Sequence, residues 1–391
     1  MWCVSSQLDH TSHRSHGDLL DLVDDIILGD EVMTDGCGIV SRALMRLIND
    51  KYIAQLKVNS SINGTPSAFQ ARFGPFKGMF VEWPDTLIQI KLGPTTKIEQ
   101  SSLLQLLVRQ SQKKYNMGNP DLEEQCAVEI LNVSKPVSSG YLSQMYVPLL
   151  WQRGVEKSTF DELAREAFVH HVERAVVDEE TTLRSILRIQ QEWRKEVRRH
   201  NPEHKIQDEE SWDPPYWITS GLIMSGGFSS KTDPLLAQRM LWFAKQKISR
   251  FLEENRIPMS RSRSLFMVPD ECGVLGPDEC FIQLSSPRNK FDWENLSSEG
   301  GPSWDFVGIM TGPIVALRSP SYHHSDVLKL NAVDNALVSE SLGHLRDVIV
   351  LSTKKLGTRS TASIMSGGDF DGDKVSGNDT TLYDPDPNYK R

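Results

Sequence analysis

The sequence predicts an α+β chain in which a charged helical stretch separates two strand-bearing regions. Short apolar runs bounded by Gly and Pro occupy both ends of the chain, the mark of strands joined by tight turns. Apolar residues recur at helical spacing in the middle. The 391 residues, 39% hydrophobic and 24% charged, suffice for two to three packed domains of roughly 150 residues each.

The first region covers 1–155. It opens with polar sequence and an amphipathic stretch, Leu19–Ile27, followed by the turn Asp35-Gly36-Cys37-Gly38. Apolar spacing over Ile39–Ile53 predicts a helix. Ala68–Phe73 and Gly78–Trp83 read as strands broken by Gly74-Pro75 and Pro84, and Leu87–Leu92 as another. Ser101–Val108 and Tyr141–Val147 read as helices, the second ended by Pro148. In the second region, 156–215, Phe160, Leu163, Ala167, Val172 and Val176 keep helical spacing, as do Leu183, Ile186, Leu187 and Trp193. Pro214-Pro215 closes it. The third region begins with a helix whose Leu236, Met240, Ala244, Ile248 and Leu252 share a face. Strands follow at Cys272–Leu275, Cys280–Leu284, Phe306–Ile309, Ile314–Leu317 and Asp347–Leu351, and short strands between Gly/Pro turns predict a barrel.

Composition narrows the function. Forty-three basic against 52 acidic residues give a net charge of −9, which excludes a uniformly basic nucleic-acid coat. Five cysteines at 3, 37, 126, 272 and 280 form no CxxC pair, so neither a disulfide framework nor a structural zinc site is indicated. No apolar run of about 18 residues is present, and residues 1–16 lack an apolar signal region, so no membrane partner and an intracellular location, cytoplasmic or nuclear, are expected.

Ser366-Gly367-Gly368-Asp369-Phe370-Asp371-Gly372-Asp373 is the most informative segment. On an extended strand, carboxylates at i, i+2 and i+4 share one face, and Gly372 lets the backbone turn so that they converge. Three close carboxylates repel unless a cation joins them, and hard oxygen donors select Mg²⁺, Mn²⁺ or Ca²⁺. Mg²⁺ with substrate phosphates suits nucleotidyl transfer. An EF-hand loop counted from Asp369 would need Gly at position 374 and Glu at 380, where Lys374 and Thr380 stand. An ordinary Asp/Gly turn is the plainer alternative. His323, His324 and Asp326 make a weak ligand set, better read as structural hydrogen bonding. Walker A, HExxH and GxSxG patterns are absent.

The Gly367–Asp373 segment resembles the signature of the eukaryotic, gene-silencing type of RNA-dependent RNA polymerase. Val32–Gly38 with Ser41 looks like that family's upstream landmark, and Pro66–Gly74 with Lys77-Gly78 looks like its first-barrel segment. Val268–Leu275, Glu279–Ser285, Val315–Pro320 with His323 and Asp326, and Asp347–Lys354 follow in the family's order. The likeness spans nearly the whole chain and is greatest to fungal members. It implies a double-psi β-barrel polymerase core of two barrel regions with helical insertions: a first barrel region in 1–155, a helical connector in 156–215, a second barrel with the aspartate loop in 216–375, and a polar tail, 376–391. Family members are much longer, so a shortened chain is expected, with the polar tail standing where the family carries an apolar strand.

The resemblance implies a Mg²⁺-dependent enzyme, with Mn²⁺ as the alternative ion, making RNA on an RNA template from ribonucleoside triphosphates in RNA silencing. Asp369, Asp371 and Asp373 would hold the metal, and Lys77 would neutralise charge on the transferred phosphate. Arg72, Arg318 and Lys354 would contact RNA or nucleotide. Lys231–Arg263 holds eight basic and three acidic residues, and its Lys245 and Arg250 would track an RNA backbone. An RNA-binding fragment without catalysis is the second expectation.

Overall fold

A computed structural model describes residues 2–4, 20–56, 65–84, 88, 106–115, 128–137, 140–169, 216–254, 256–259, 262–285 and 308–379. They form two compact units: Met1–Gly140 with Gln152–Gly154 and Ser260–Arg391, and Tyr141–Trp151 with Val155–Met259.

The first unit begins with a seven-stranded sheet. Its strands are β1 (Trp2–Val4), β2 (Leu20–Leu22), β5 (Cys37–Ser41), β6 (Ala68–Phe73), β7 (Phe76–Trp83), β8 (Leu106–Val108) and β9 (Val128–Val133), ordered β1-β9-β6-β7-β5-β8-β2. A two-stranded ribbon, β3 (Ile27–Leu28) with β4 (Glu31–Val32), precedes β5. Every residue of β5 is buried, and it lies parallel to β7 in the middle of the sheet. β-Branched Ile39 and Val40 suit that buried ladder, so the helix expected from residue 39 starts later, as α1 (Arg42–Leu56). The Ser41 hydroxyl accepts from the Leu44 backbone N–H at 3.2 Å, which marks the switch from strand to helix. The Ser101–Val108 expectation also changes: residues 106–108 are β8, paired with both β5 and β2, and 101–105 lie outside the described residues. Leu87–Leu92, apart from residue 88, lies outside them too.

The rest of the unit is a closed barrel. Its strands are β12 (Ser262–Pro269), β13 (Glu279–Leu284), β15 (Gly312–Arg318), β16 (Leu328–Ala332), β17 (Val348–Leu351) and β18 (Lys374–Asp379), with β14 (Gly308–Ile309) added at the edge of β13. The order β13-β16-β15-β18-β12-β17 returns to β13 through the β13–β17 pairing, closing a ring of six. β17, Val348-Ile349-Val350-Leu351, is buried on both faces, whereas β16 alternates buried and exposed. The apolar core runs continuously from Ile39, Met79 and Val81 of the first sheet to Phe266, Phe281 and Val350 of the barrel. At about 1.5–3 kcal/mol for each large side chain removed from water, this shared core holds the sheet and the barrel together.

Two expectations for the barrel are corrected. Cys272–Leu275 is not a strand. The Asp270 carboxylate accepts from the backbone N–H groups of Cys272 (3.1 Å), Gly273 (3.0 Å) and Leu275 (2.7 Å), so a side chain takes the donors a ladder would use. The boundary between barrel and polar tail, set after residue 375, falls inside β18. That strand runs to Asp379 between β12 and β15, pairing Val375 with Leu265 and Arg318, and Ser376 with Ser264 and Leu317. Neighbours on both sides override the low strand propensity of Gly377 and Asn378.

The second unit is mainly helical: β10 (Gly140–Ser143) paired with β11 (Arg256–Met259), and α2 (Tyr146–Gln152), α3 (Lys157–Phe168), α4 (Tyr216–Ser225) and α5 (Pro234–Glu254). Pro148 does not end a helix but sits in the first turn of α2, where a missing N–H costs nothing. α3 buries Phe160, Leu163 and Ala167, the face its spacing predicts. α5 belongs to this helical unit and not to the barrel region assigned from residue 216. Residues 170–215, most of the expected connector, lie outside the described residues. Two short helices complete the barrel region, α6 (Ala336–Leu342) and α7 (Thr361–Ile364).

Candidate metal centre

The aspartates do not lie on an extended strand. They occupy a turn between α7 and β18, and the turn makes them converge. The Asp371 N–H donates to Asp369 Oδ1 (3.1 Å), and the Asp369 N–H donates to Asp373 Oδ2 (3.2 Å). One carboxylate oxygen from each of the three lies within 4.8 Å of the others, all on half-buried residues. Phe370, between them, is 3% exposed and anchors the turn in the core.

The turn is also fastened to the first sheet. The Phe370 N–H donates to the Asp35 carbonyl at 2.9 Å, and its carbonyl accepts from the Met79 N–H at 3.3 Å. The Gln70 amide donates to the Asp371 carbonyl at 2.9 Å. Gly36, at φ +79°, lies so close that a Cβ there would stand 3.0 Å from both the Asp371 nitrogen and its Cβ. Gly372, at φ +130°, is similarly constrained, because a Cβ there would fall inside the Gln70 carboxamide unless that side chain moved.

Charge is arranged with the same economy. Lys77 Nζ lies 2.6 Å from Asp371 Oδ2, and Arg318 Nε lies 2.6 Å from Asp373 Oδ2. Arg318 also donates to the Ser366 carbonyl (3.1 Å), bracing the start of the turn. Burial raises the Asp369 carboxyl to about 6; the bond from the Asp371 N–H opposes this, while the charges of Asp371, Asp373 and Asp35 add to it. Asp35 is itself raised, first by burial; Lys114 opposes that, and the charges of Asp25 and Asp371 add to it. Four carboxylates thus face two directly paired cations, leaving local negative charge on hard oxygen donors. That donor set fits a divalent cation of the Mg²⁺, Mn²⁺ or Ca²⁺ kind.

The other expected contact residues are placed as follows. Arg72 is exposed and sits opposite Lys77 and Glu129 in the strand register, so it shares the sheet face of Lys77. Lys354 is exposed, and its charge acts on Asp270. Lys245 is exposed on α5, and Arg250 lies on the same helix, in the helical unit. The His323 and His324 rings lie tilted against each other with centroids 4.1 Å apart, while Asp326 accepts from the N–H groups of Tyr322 and His323, the structural role expected of this group. Sequence reasoning missed Gln70, Gly36 and Asp35 as parts of the site. The Asp35-Gly36 turn was visible, but nothing in the sequence ties it to residue 371.

A closed six-stranded barrel thus carries, between α7 and β18, an aspartate turn that could hold a metal ion, docked on a second sheet bearing a lysine. A model of the family described as RNA dependent RNA polymerase matches residues 3–377, and the chain belongs to that family. It is 26% identical over 366 residues to RNA-dependent RNA polymerase 1 of Schizosaccharomyces pombe, covering 91% of this chain and 25% of that protein. It is 24% identical over 351 residues to RNA-dependent RNA polymerase 6 of Arabidopsis thaliana, covering 90% and 25%. The chain therefore spans about a quarter of the length of these relatives. Among solved structures, the RNA dependent RNA polymerase QDE-1 from Thielavia terrestris superposes with a TM-score of 0.70 at 22% identity, covering 94% of this chain and 36% of that one. The shared fold is the double-psi barrel core that the sequence implies. Among the described residues, no helix is long and apolar enough to cross a membrane.

Proposed function

We propose that this chain carries the nucleotidyl-transfer centre of an RNA-directed RNA polymerase, which joins ribonucleoside triphosphates on an RNA template with Mg²⁺ as the ion and Mn²⁺ as its substitute. The observation that carries this reading is the convergence of Asp369, Asp371 and Asp373 within 4.8 Å, with Lys77 and Arg318 against their outer oxygens. Family membership supports the reaction class.

The three aspartates would hold the ion, which when bound would supply positive charge against the phosphate oxygens of the reacting nucleotide. Lys77 Nζ, on a strand facing the turn, adds positive charge beside the transferred phosphate as negative charge builds there. Arg318 orients the turn by gripping Asp373 and the Ser366 carbonyl together, which leaves the other oxygens of the cluster for the ion. Arg72, on the face of Lys77, would meet a nucleotide phosphate or the RNA strand, a reading its register opposite Lys77 supports. RNA is both template and product, and the exposed Lys245 with Arg250 and Lys354 gives the sugar-phosphate backbone sequence-independent partners.

Primer extension on a single-stranded RNA template with Mg²⁺ tests this, comparing the chain with Asp371→Ala. The expected outcome is incorporation that the substitution abolishes. Incorporation indifferent to Asp371 would refute the assignment. RNA retained with no incorporation under Mn²⁺ would favour a binding fragment instead.

A further inference from the structure

Arg109 is fully buried, one residue beyond β8, and its side chain reaches the barrel. Its Nη2 donates to Glu271 Oε2 at 2.8 Å, and its Nη1 lies 2.7 Å from Glu271 Oε1, a close buried ion pair. Nη1 also donates to the Cys37 carbonyl, and Nε donates to the Asp24 carbonyl at 3.2 Å. The Arg109 N–H donates to Gln112 Oε1 (3.0 Å), whose amide donates to the Met79 carbonyl (3.3 Å). Two of these contacts, the bond to the Cys37 carbonyl and the relay through Gln112 to the Met79 carbonyl, end at the segment that receives the aspartate turn. Cys37 follows Gly36, which abuts Asp371; the Met79 N–H meets the Gly36 and Phe370 carbonyls. At the other end, Glu271 sits on the barrel turn fixed by Asp270.

Energetics argue against simple glue. A buried ion pair costs several kcal/mol of desolvation per ion, and apolar side chains of similar volume often hold a core as well or better. What apolar packing cannot supply is a planar fork that fixes a carbonyl and a carboxylate at once. We propose that the Arg109–Glu271 pair is a positioning element of the metal centre, setting the Gly36-Cys37 turn at the height at which it receives Asp371. The inference rests on the metal-centre reading above.

The test is Mn²⁺ binding by the whole chain, followed by electron paramagnetic resonance, alongside the thermal midpoint. Arg109→Met combined with Glu271→Met should keep the fold yet weaken Mn²⁺ binding by about tenfold, the loss typical when the supports of metal ligands are removed. Arg109→Lys, with charge but no fork, should also bind weakly. Undiminished binding by the folded double variant overturns the proposal. If that variant does not fold, Gln112→Met decides by the same criterion, and if neither folds, the pair is structural and the proposal falls. Failure of the underlying reading looks different: the unaltered chain would then show no Mn²⁺ binding that Asp371→Ala removes.

Discussion

Replacing Gly372 with alanine probes the docking of the aspartate turn most directly. A residue with a side chain at φ +130° carries backbone strain of about 1–3 kcal/mol. The new methyl group would also expel the Gln70 carboxamide and break its 2.9 Å bond to the Asp371 carbonyl, a further 0.5–1.5 kcal/mol or so. Gly372→Ala should therefore cost about 2–4 kcal/mol. Gln70→Ala alone should cost about 1 kcal/mol, the bond without the strain. In the double variant the clash has no object and the bond is lost only once, so the two changes should fall short of additivity by about 1 kcal/mol or more. Urea unfolding followed by tryptophan fluorescence measures all three values. Additivity within about 0.5 kcal/mol would mean that Gln70 and Gly372 do not meet, and the docking described here would be wrong.

Other consequences are equally open to measurement. Lys77→Met should tighten Mn²⁺ binding by up to about fivefold, because a partly exposed pair of this kind is worth at most about 1 kcal/mol, while RNA synthesis falls by about 10²–10³ as with loss of other transition-state donors. Weaker ion binding in that variant would contradict the charge arrangement. Asp270→Ala leaves three backbone N–H groups of the barrel turn without their acceptor and should lower stability by about 2–4 kcal/mol, with Asp270→Asn recovering part of it, as read by denaturant midpoints. Burial lowers the pKa of His344 below its ordinary 6.5, with the nearby Arg42 adding and the bond to the Glu82 carbonyl opposing. The unfolded chain then takes up the proton more readily, so this contribution is complete above pH 6.5 and is lost as pH falls below it. Urea midpoints at pH 7.5 and 5.5 should differ more for the unaltered chain than for His344→Gln; equal differences would remove His344 from the account.

Much of this was legible in the residues. Ala68–Phe73 is β6 to the residue, because alternation and flanking Gly/Pro turns are local signals. The three aspartates could be found because their chemistry is written in one short segment. Ile39 and Val40 misled, since the apolar spacing of β5 runs without a break into that of α1 and only the Ser41 cap separates them. Lys374–Asp379 misled for the opposite reason: its polar side chains say loop, and only pairing with β12 and β15 makes it a strand. Gln70, Gly36 and Arg109 stayed hidden because their roles depend on partners far away in the chain, and a single sequence holds no record of proximity.

That remoteness has a consequence for how the protein is made. Gln70 and Lys77 meet Asp371 across 301 and 294 residues. At a synthesis rate of about 5–20 residues per second, the first sheet waits roughly 15–60 s with its receiving surface uncovered before the aspartate turn arrives. The candidate metal centre cannot assemble before residues 369–373 are made, and a nascent chain that already holds Gln70, Lys77 and the Gly36 turn lacks its carboxylates until then.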